Sequence, residues 1–216
     1  MSPVRRIPRP SSRQAALSVA VLIAANLPIL RSWALHFGAT EAELDAELAG
    51  DDLIENANLV ATRGVTIDAP PEEVWRWVVQ LGQGRGGFYS YDWLENVFGC
   101  DVRSADTIEE RWQNLATGDA VHLHPRVALE VAEVVPERSL VLRSVQLPDQ
   151  APPPYHYTWA FVLRRARGGS TRLVVRERYT YSSGWSAAIA EPTCAVSFVM
   201  TEKMLRGIRA RAERTV

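Results

Sequence analysis

The sequence predicts an α+β fold in which an antiparallel sheet curves against one long C-terminal helix. Two observations carry this expectation. Between residues 119 and 181 the chain reads as five short runs, Asp119–His124, Val127–Val135, Ser139–Val145, Tyr155–Arg164 and Thr171–Tyr181. They are separated by Pro- or Gly-bearing turns, the pattern of an antiparallel meander. After Glu191-Pro192 a helical period sets Val196, Met200, Met204 and Ile208 on one ridge, and Cys194, Phe198 and Leu205 widen it. An apolar arc of nearly half the circumference fits a helix laid across a curved sheet rather than a narrow coiled-coil seam.

Composition sets the outer limits. A chain of 216 residues suits one core plus an appendage. A net charge of −1 gives no basic field with which to hold nucleic acid. Seven tryptophans favour a large apolar interior or cavity. Two cysteines, Cys100 and Cys194, are too few for a disulfide framework and do not identify the redox compartment.

The N-terminal segment, residues 1–34, opens with Arg5, Arg6, Arg9 and Arg13 and no acid. An uncharged run of 16 residues follows, Ala15–Leu30, interrupted in character by Asn26 and Pro28. Spanning a bilayer takes about 20 apolar residues, roughly 17 at the least. Three readings stay open: a membrane anchor through residues 15–30, a signal peptide, or a helix packed on the domain or lying at an interface. Localisation is accordingly membrane-associated or cytoplasmic. The domain is expected to fold without residues 1–34.

Residues 35–58 read as an acidic linker helix. Glu41, Glu43, Asp45, Glu47, Asp51, Asp52 and Glu55 lie there without a base. Thr40 with Glu43 makes a capping box, Gly50 closes the helix, and solvent is the expected surrounding. The main domain is assigned to 59–214. Leu59–Asp68 is rich in β-branched residues and predicts a strand. Asp-Ala-Pro-Pro then starts a helix whose buried face is Val74, Trp77, Val78 and Leu81, at i, i+3, i+4, i+7.

Gly82–Asn96, GQGRGGFYSYDWLEN, joins that helix to the next and suits the lip of a ligand cavity. Its glycines allow positive φ and close approach, and its aromatics carry polar tips. Gly82, Gly84 and Gly87 match G-x-G-x-x-G, but they follow a helix. The dinucleotide fingerprint follows a strand and opens a helix. Ser90 is expected to cap the following helix, with Leu94, Val97 and Phe98 as its buried stripe.

In the last two strands alternation places Tyr155, Tyr157, Trp159, Phe161 and Leu163 on one face, and Leu173, Val175, Glu177, Tyr179 and Tyr181 on one face of the partner. Arg164, Arg172, Arg176 and Arg178 take the opposite side, expected to be solvated. Glu177 therefore sits on the apolar side. Two roles are open to it: a general acid/base or ligand anchor with a raised pKa, or a carboxylate paired with a tyrosine or arginine. His122 and His124 share a strand face without a third ligand of suitable spacing, so no metal and no cofactor is expected.

The order of elements, with a strand running into Ala-Pro-Pro-Glu-Glu-Val-Trp, resembles the START-like helix-grip superfamily, also called SRPBCC, which includes polyketide cyclase/dehydrase-like and lipid-transfer proteins. Gly38–Glu43, GQGRGGFYSYDWLEN and Phe198–Ile208 resemble a bacterial subgroup of largely unassigned function. The resemblance covers roughly residues 35–214 and implies a cavity between the sheet and the C-terminal helix, holding a hydrophobic small molecule or lipid. The candidate ligand contacts are Arg85, for an anionic group, Tyr89, Tyr91, Trp93, Tyr157, Trp159, Phe161, Glu177, Tyr179, Met200 and Met204. The alternative is a cyclase/dehydrase-like enzyme with Glu177 or a tyrosine as general acid/base.

Overall fold

The computed structural model describes residues 28–145 and 155–214. The expected membrane, signal or interfacial segment falls mostly outside these residues. No helix among the described residues is long and apolar enough to cross a membrane.

The α+β architecture is a helix-grip fold. Six strands, β1 (Leu59–Ile67), β2 (Ala120–His124), β3 (Val127–Val135), β4 (Ser139–Ser144), β5 (Tyr155–Arg165) and β6 (Thr171–Tyr181), form one antiparallel sheet in the order β1-β6-β5-β4-β3-β2. The helices are α1 (residues 28–35), α2 (Glu41–Asp45), α3 (Pro71–Val79), α4 (Asp92–Val97) and α5 (Ala187–Ala212). In α3, Pro71 fills the first turn, where a missing N–H leaves nothing unpaired, and Glu72 and Glu73 face the positive dipole end. Its face of Val74, Trp77 and Val78 is buried as the periodicity predicts. Each such burial stabilises by about 2 kcal/mol. The core lies between α3, α5 and the inner face of the sheet, with Ile208, Leu205 and Phe161 at its centre.

Helix α5 begins at Ala187, earlier than the sequence indicates, with Pro192 inside its second turn. Its inward side also differs from the predicted ridge. Cys194, Thr201, Met204, Leu205 and Ile208 are buried, whereas Val196 is 52% exposed. The start is fixed by Ser186, whose carbonyl accepts from the Ala190 N–H and whose hydroxyl accepts from the Ser183 N–H.

Arg164 is exposed as expected, but the outer face of the sheet otherwise corrects the expectation of solvated arginines and a solvated acidic helix. Residues 38–55 lie across that face. The Thr40–Glu43 capping box forms as read, but the helix ends at Asp45 rather than at Gly50. Gly50, at φ 82°, instead opens a 3-10 turn over Asp51–Ile54 and stands where a Cβ would meet Val141 Cγ1 at 2.4 Å. Arg172 donates to both oxygens of Glu43. Arg176, 3% exposed, donates to Asp51 Oδ2 at 2.5 Å and to the Glu43 and Ala46 carbonyls. Arg178 donates to Asp51 and to the carbonyls of Ile54 and Glu55. The charges that repel within each segment attract across the interface, and hydrogen bonds to the carbonyls satisfy the remaining donors. Helix α1 packs instead against α5 and the inner-face side of β1: Arg31 bridges Glu191, Leu35 is buried with Ala61, Tyr179 and Cys194, and the Ala34 carbonyl accepts from Arg63 Nε at 3.0 Å.

Candidate functional site

A cavity of about 500 Å³ opens between the inner face of the sheet and the middle of α5. Strand alternation supplies one wall: Tyr155, Tyr157 and Trp159 from β5, Tyr179 from β6 and Leu129 from β3. Helix α5 supplies Thr193, Ser197, Met200, Thr201 and Met204, spaced three or four apart on one face. Phe88 and Ser90 close one end, and Leu123, Arg126 and Val127 of the β2–β3 turn border another part. Aromatic rings tile the wall. Tyr157 stands 4.8 Å from Tyr179 in a tilted pair, and Trp159 packs on Phe161 at 4.7 Å.

Of the residues expected to meet ligand, Tyr157, Trp159, Tyr179, Met200 and Met204 line this space. The others lie elsewhere. Arg85 Nη2 donates to the carbonyls of Val79 and Trp112, at 3.0 and 2.9 Å, and so braces the loop rather than facing the cavity. Tyr89, at φ 56° and 1% exposed, donates its hydroxyl to the Trp77 carbonyl. Tyr91 precedes α4 with Lys203 over its ring, and Trp93 is 67% exposed. Phe161 is wholly buried in the core.

Glu177 has no solvent exposure and sits behind the wall. Arg63 Nη1 donates to its Oε1 at 2.9 Å, Ser197 at 2.6 Å and Thr201 at 3.1 Å, while the Tyr179 hydroxyl donates to Oε2 at 2.9 Å. Of the two roles the sequence left open, this geometry is the paired one. Burial opposes the charge on Arg63 and is the largest single influence, but Glu177, Cys194 and Tyr179 together outweigh it and the guanidinium pKa is raised. The Tyr179 and Tyr157 phenols are pushed well above their ordinary value, by burial first and the Glu177 charge second. Neither gives up its proton near neutrality.

Glu95 is the acidic wall residue that sequence reading missed; Phe88, Tyr155, Ser197 and Thr201 also lay outside the expected contacts. Helix α4 does not bury Leu94, Val97 and Phe98. Val97 and Phe98 are 72% and 67% exposed, and Glu95, 7% exposed, turns inward. Ser90 does not cap α4 but donates to the Met200 carbonyl, and Tyr91 stands at the N-cap without a side-chain hydrogen bond to the helix. Asp92 instead holds Ser104, at 2.8 Å to its N–H and 2.6 Å to its hydroxyl, and Asn96 holds both backbone groups of Val102. These bonds set the helix's rotation. Glu95 Oε2 has no partner among the described residues, and neither does Trp159 Nε1. Burial first and Asp92 second push the Glu95 pKa up to about 7. The signal in the sequence was a pair of acids, Asp92 and Glu95, beside the aromatic residues of that stretch.

His122 is exposed and His124 accepts from the Arg126 N–H. No group of three or more His, Cys, Asp or Glu suited to a metal occurs among the described residues.

No protein-family model and no curated protein matches the chain. Among solved structures, the chain is similar to a Mesorhizobium loti protein at 13% identity, over 73% of this chain and 99% of that one, with TM-score 0.45. A Nitrosospira multiformis protein aligns at 12% identity, over 70% and 94%, with TM-score 0.43. DynU16, from the dynemicin biosynthetic locus, aligns at 19% identity, over 68% of this chain and 46% of its own, with TM-score 0.42. The fold assignment rests on the sheet order and helix placement described above.

Proposed function

We propose that the protein binds a hydrophobic small molecule or lipid in the space between the sheet and α5. The observation that carries this reading is a cavity of about 500 Å³ walled by aromatic rings and methionines. Ligand sites are commonly concave, mostly apolar and furnished with a few placed polar groups, at volumes of about 300–1,000 Å³. Met200 and Met204 suit such a wall, because an unbranched thioether refits around different shapes. Contact with a membrane through residues 15–30 is part of the same proposal, since an apolar ligand is drawn from or delivered to lipid.

The cyclase- or dehydrase-like alternative has less support. A general acid/base must reach the reacting proton, and Glu177 is enclosed by Arg63, Tyr179, Ser197 and Thr201. Burial and the Glu177 charge hold the Tyr157 and Tyr179 phenols protonated. The alternative would have to use Glu95, the carboxylate on the wall.

Native mass spectrometry of the purified chain, followed by organic extraction, tests the binding reading. An apolar compound is expected to co-purify with the wild type and to be lost from Met200→Trp, which fills the space, at an unchanged melting temperature. A wild type that carries nothing and takes up no apolar probe would overturn it.

A further inference from the structure

Most polar atoms on the cavity wall are already engaged within the protein. Ser197, Thr201 and Tyr179 donate to Glu177, Thr193 donates to the Ile189 carbonyl, and Ser90 donates to the Met200 carbonyl. Glu95 is different. It is more than nine-tenths buried, at 7% exposure, it lines the cavity, and its Oε2 lacks a partner among the described residues.

A carboxylate withdrawn from water is unfavourable unless a cation or several donors meet it. The wall does not provide that cation. Its basic residue, Arg126, is exposed in the β2–β3 turn, and Lys203 is placed over the Tyr91 ring. Asp92, on the same helix, adds repulsion, and with burial it raises the Glu95 pKa to about 7. The rings of Phe88, Tyr157 and Trp159 border the same space. Their faces are electron-rich and attract a cation while also burying hydrocarbon. A carboxylate without a counter-charge, within an aromatic enclosure, is complementary to a positively charged group on an apolar body.

We propose that the cavity's ligand is an amphiphile whose head is a protonated amine, and that Glu95 is the residue that pairs with the ammonium. The proposal rests on the binding reading above and narrows it to one chemical class. Binding supplies the counter-charge that the fold leaves out, and the ammonium donates a charge-assisted hydrogen bond to the carboxylate. A ligand carboxylate in the same place meets like charge.

Three probes of equal chain length separate the cases: decylamine, decanol and decanoate, titrated calorimetrically into the full chain below their aggregation concentrations. Decylamine is expected to bind tighter than either of the others by about tenfold or more. In Glu95→Gln that preference is expected to vanish, while decanol binds as in the wild type and so reports an intact cavity. Glu95→Met, of similar length and uncharged, is expected to behave the same way. Equal binding of all three probes, tightest binding of decanoate, or an amine preference that survives both substitutions would overturn the amine assignment and leave the cavity reading in place. Failure of every probe to bind overturns both.

Discussion

Arg63 Nη1 lies 2.9 Å from Glu177 Oε1 with side-chain exposures of 1% and 0%, so β1 and β6 share an ion pair that water does not reach. Removing one partner leaves the other's charge buried and uncompensated, which costs about 3–5 kcal/mol. Arg63→Met and Glu177→Leu are each expected to lower the unfolding free energy by that amount in urea titrations. The double substitution is expected to recover most of it, because well-packed apolar residues of similar volume often replace a buried pair without loss. A double variant as unstable as the sum of the singles would mean that the two charges do not act on each other.

Stability is expected to respond to pH with opposite signs at two carboxylates. Burial and Asp92 raise the Glu95 pKa from 4.5 to about 7, so the folded state holds its proton longer than the unfolded state. Its contribution is complete below about pH 4.5 and is lost as pH rises through 7. The hydrogen bond from Arg172 lowers the Glu43 pKa from 4.5 to about 2, so its contribution is present above pH 4.5 and is lost as pH falls toward 2. Glu95→Gln should flatten the neutral side of a melting-temperature profile and Glu43→Gln the acid side. A wild-type profile that rises between pH 5 and 7, with Glu95→Gln superimposed on it, contradicts this assignment.

The sheet and its inner face were legible because strand alternation has a period of two and the partners follow from one hairpin. Tyr157 opposite Tyr179 and Trp159 opposite Glu177 are the pairs that alternation implies. The outer face was legible only as two runs of opposite charge. Their attraction is a contact between residues more than a hundred positions apart, such as Arg176 and Asp51, and no local period encodes it. Glu95 was hidden for a related reason. Helix α4 has six residues, fewer than two turns, so its apolar pattern is a weak guide to rotation. The bonds of Asp92 to Ser104 and of Asn96 to Val102 decide which side faces in. The stretch Gly82–Asn96 does reach the cavity, through Phe88, Ser90 and Glu95.

Helix α1 makes the boundary at residue 34 testable. The Ala34 carbonyl accepts from Arg63 Nε at 3.0 Å, Trp33 packs edge-on against Phe198 with centroids 5.0 Å apart, and Arg31 bridges Glu191. A chain lacking residues 1–27 is expected to melt cooperatively at the full-length temperature. One lacking 1–34 is expected to melt lower, because the buried Arg63 loses an acceptor, a loss of about 1–3 kcal/mol. Equal melting of the two truncations would show that α1 contributes nothing to the stability of the domain.

Gly207 in α5 is where the helix meets the stretch that forms the lip. A Cβ there would lie 2.2 Å from the Tyr89 carbonyl oxygen and 2.7 Å from Tyr89 Cβ, so only glycine permits this approach. Tyr89 has little room to retreat: it is buried, holds φ 56°, and is bonded through its N–H to Ser104. Gly207→Ala is therefore expected to force α5 and the lip apart. Helix propensity favours alanine by about 1 kcal/mol at an unconstrained site, so net destabilisation in spite of that gain identifies the close contact as its source. Gly184→Ala serves as the control, since no atom lies within 4 Å of its Cβ position. Its melting temperature is expected to stay at the wild-type value, while Gly207→Ala melts lower and loses affinity for an apolar probe such as decanol. A Gly207→Ala chain as stable as wild type, with unchanged decanol binding, would mean that the lip and α5 are not packed against each other in solution.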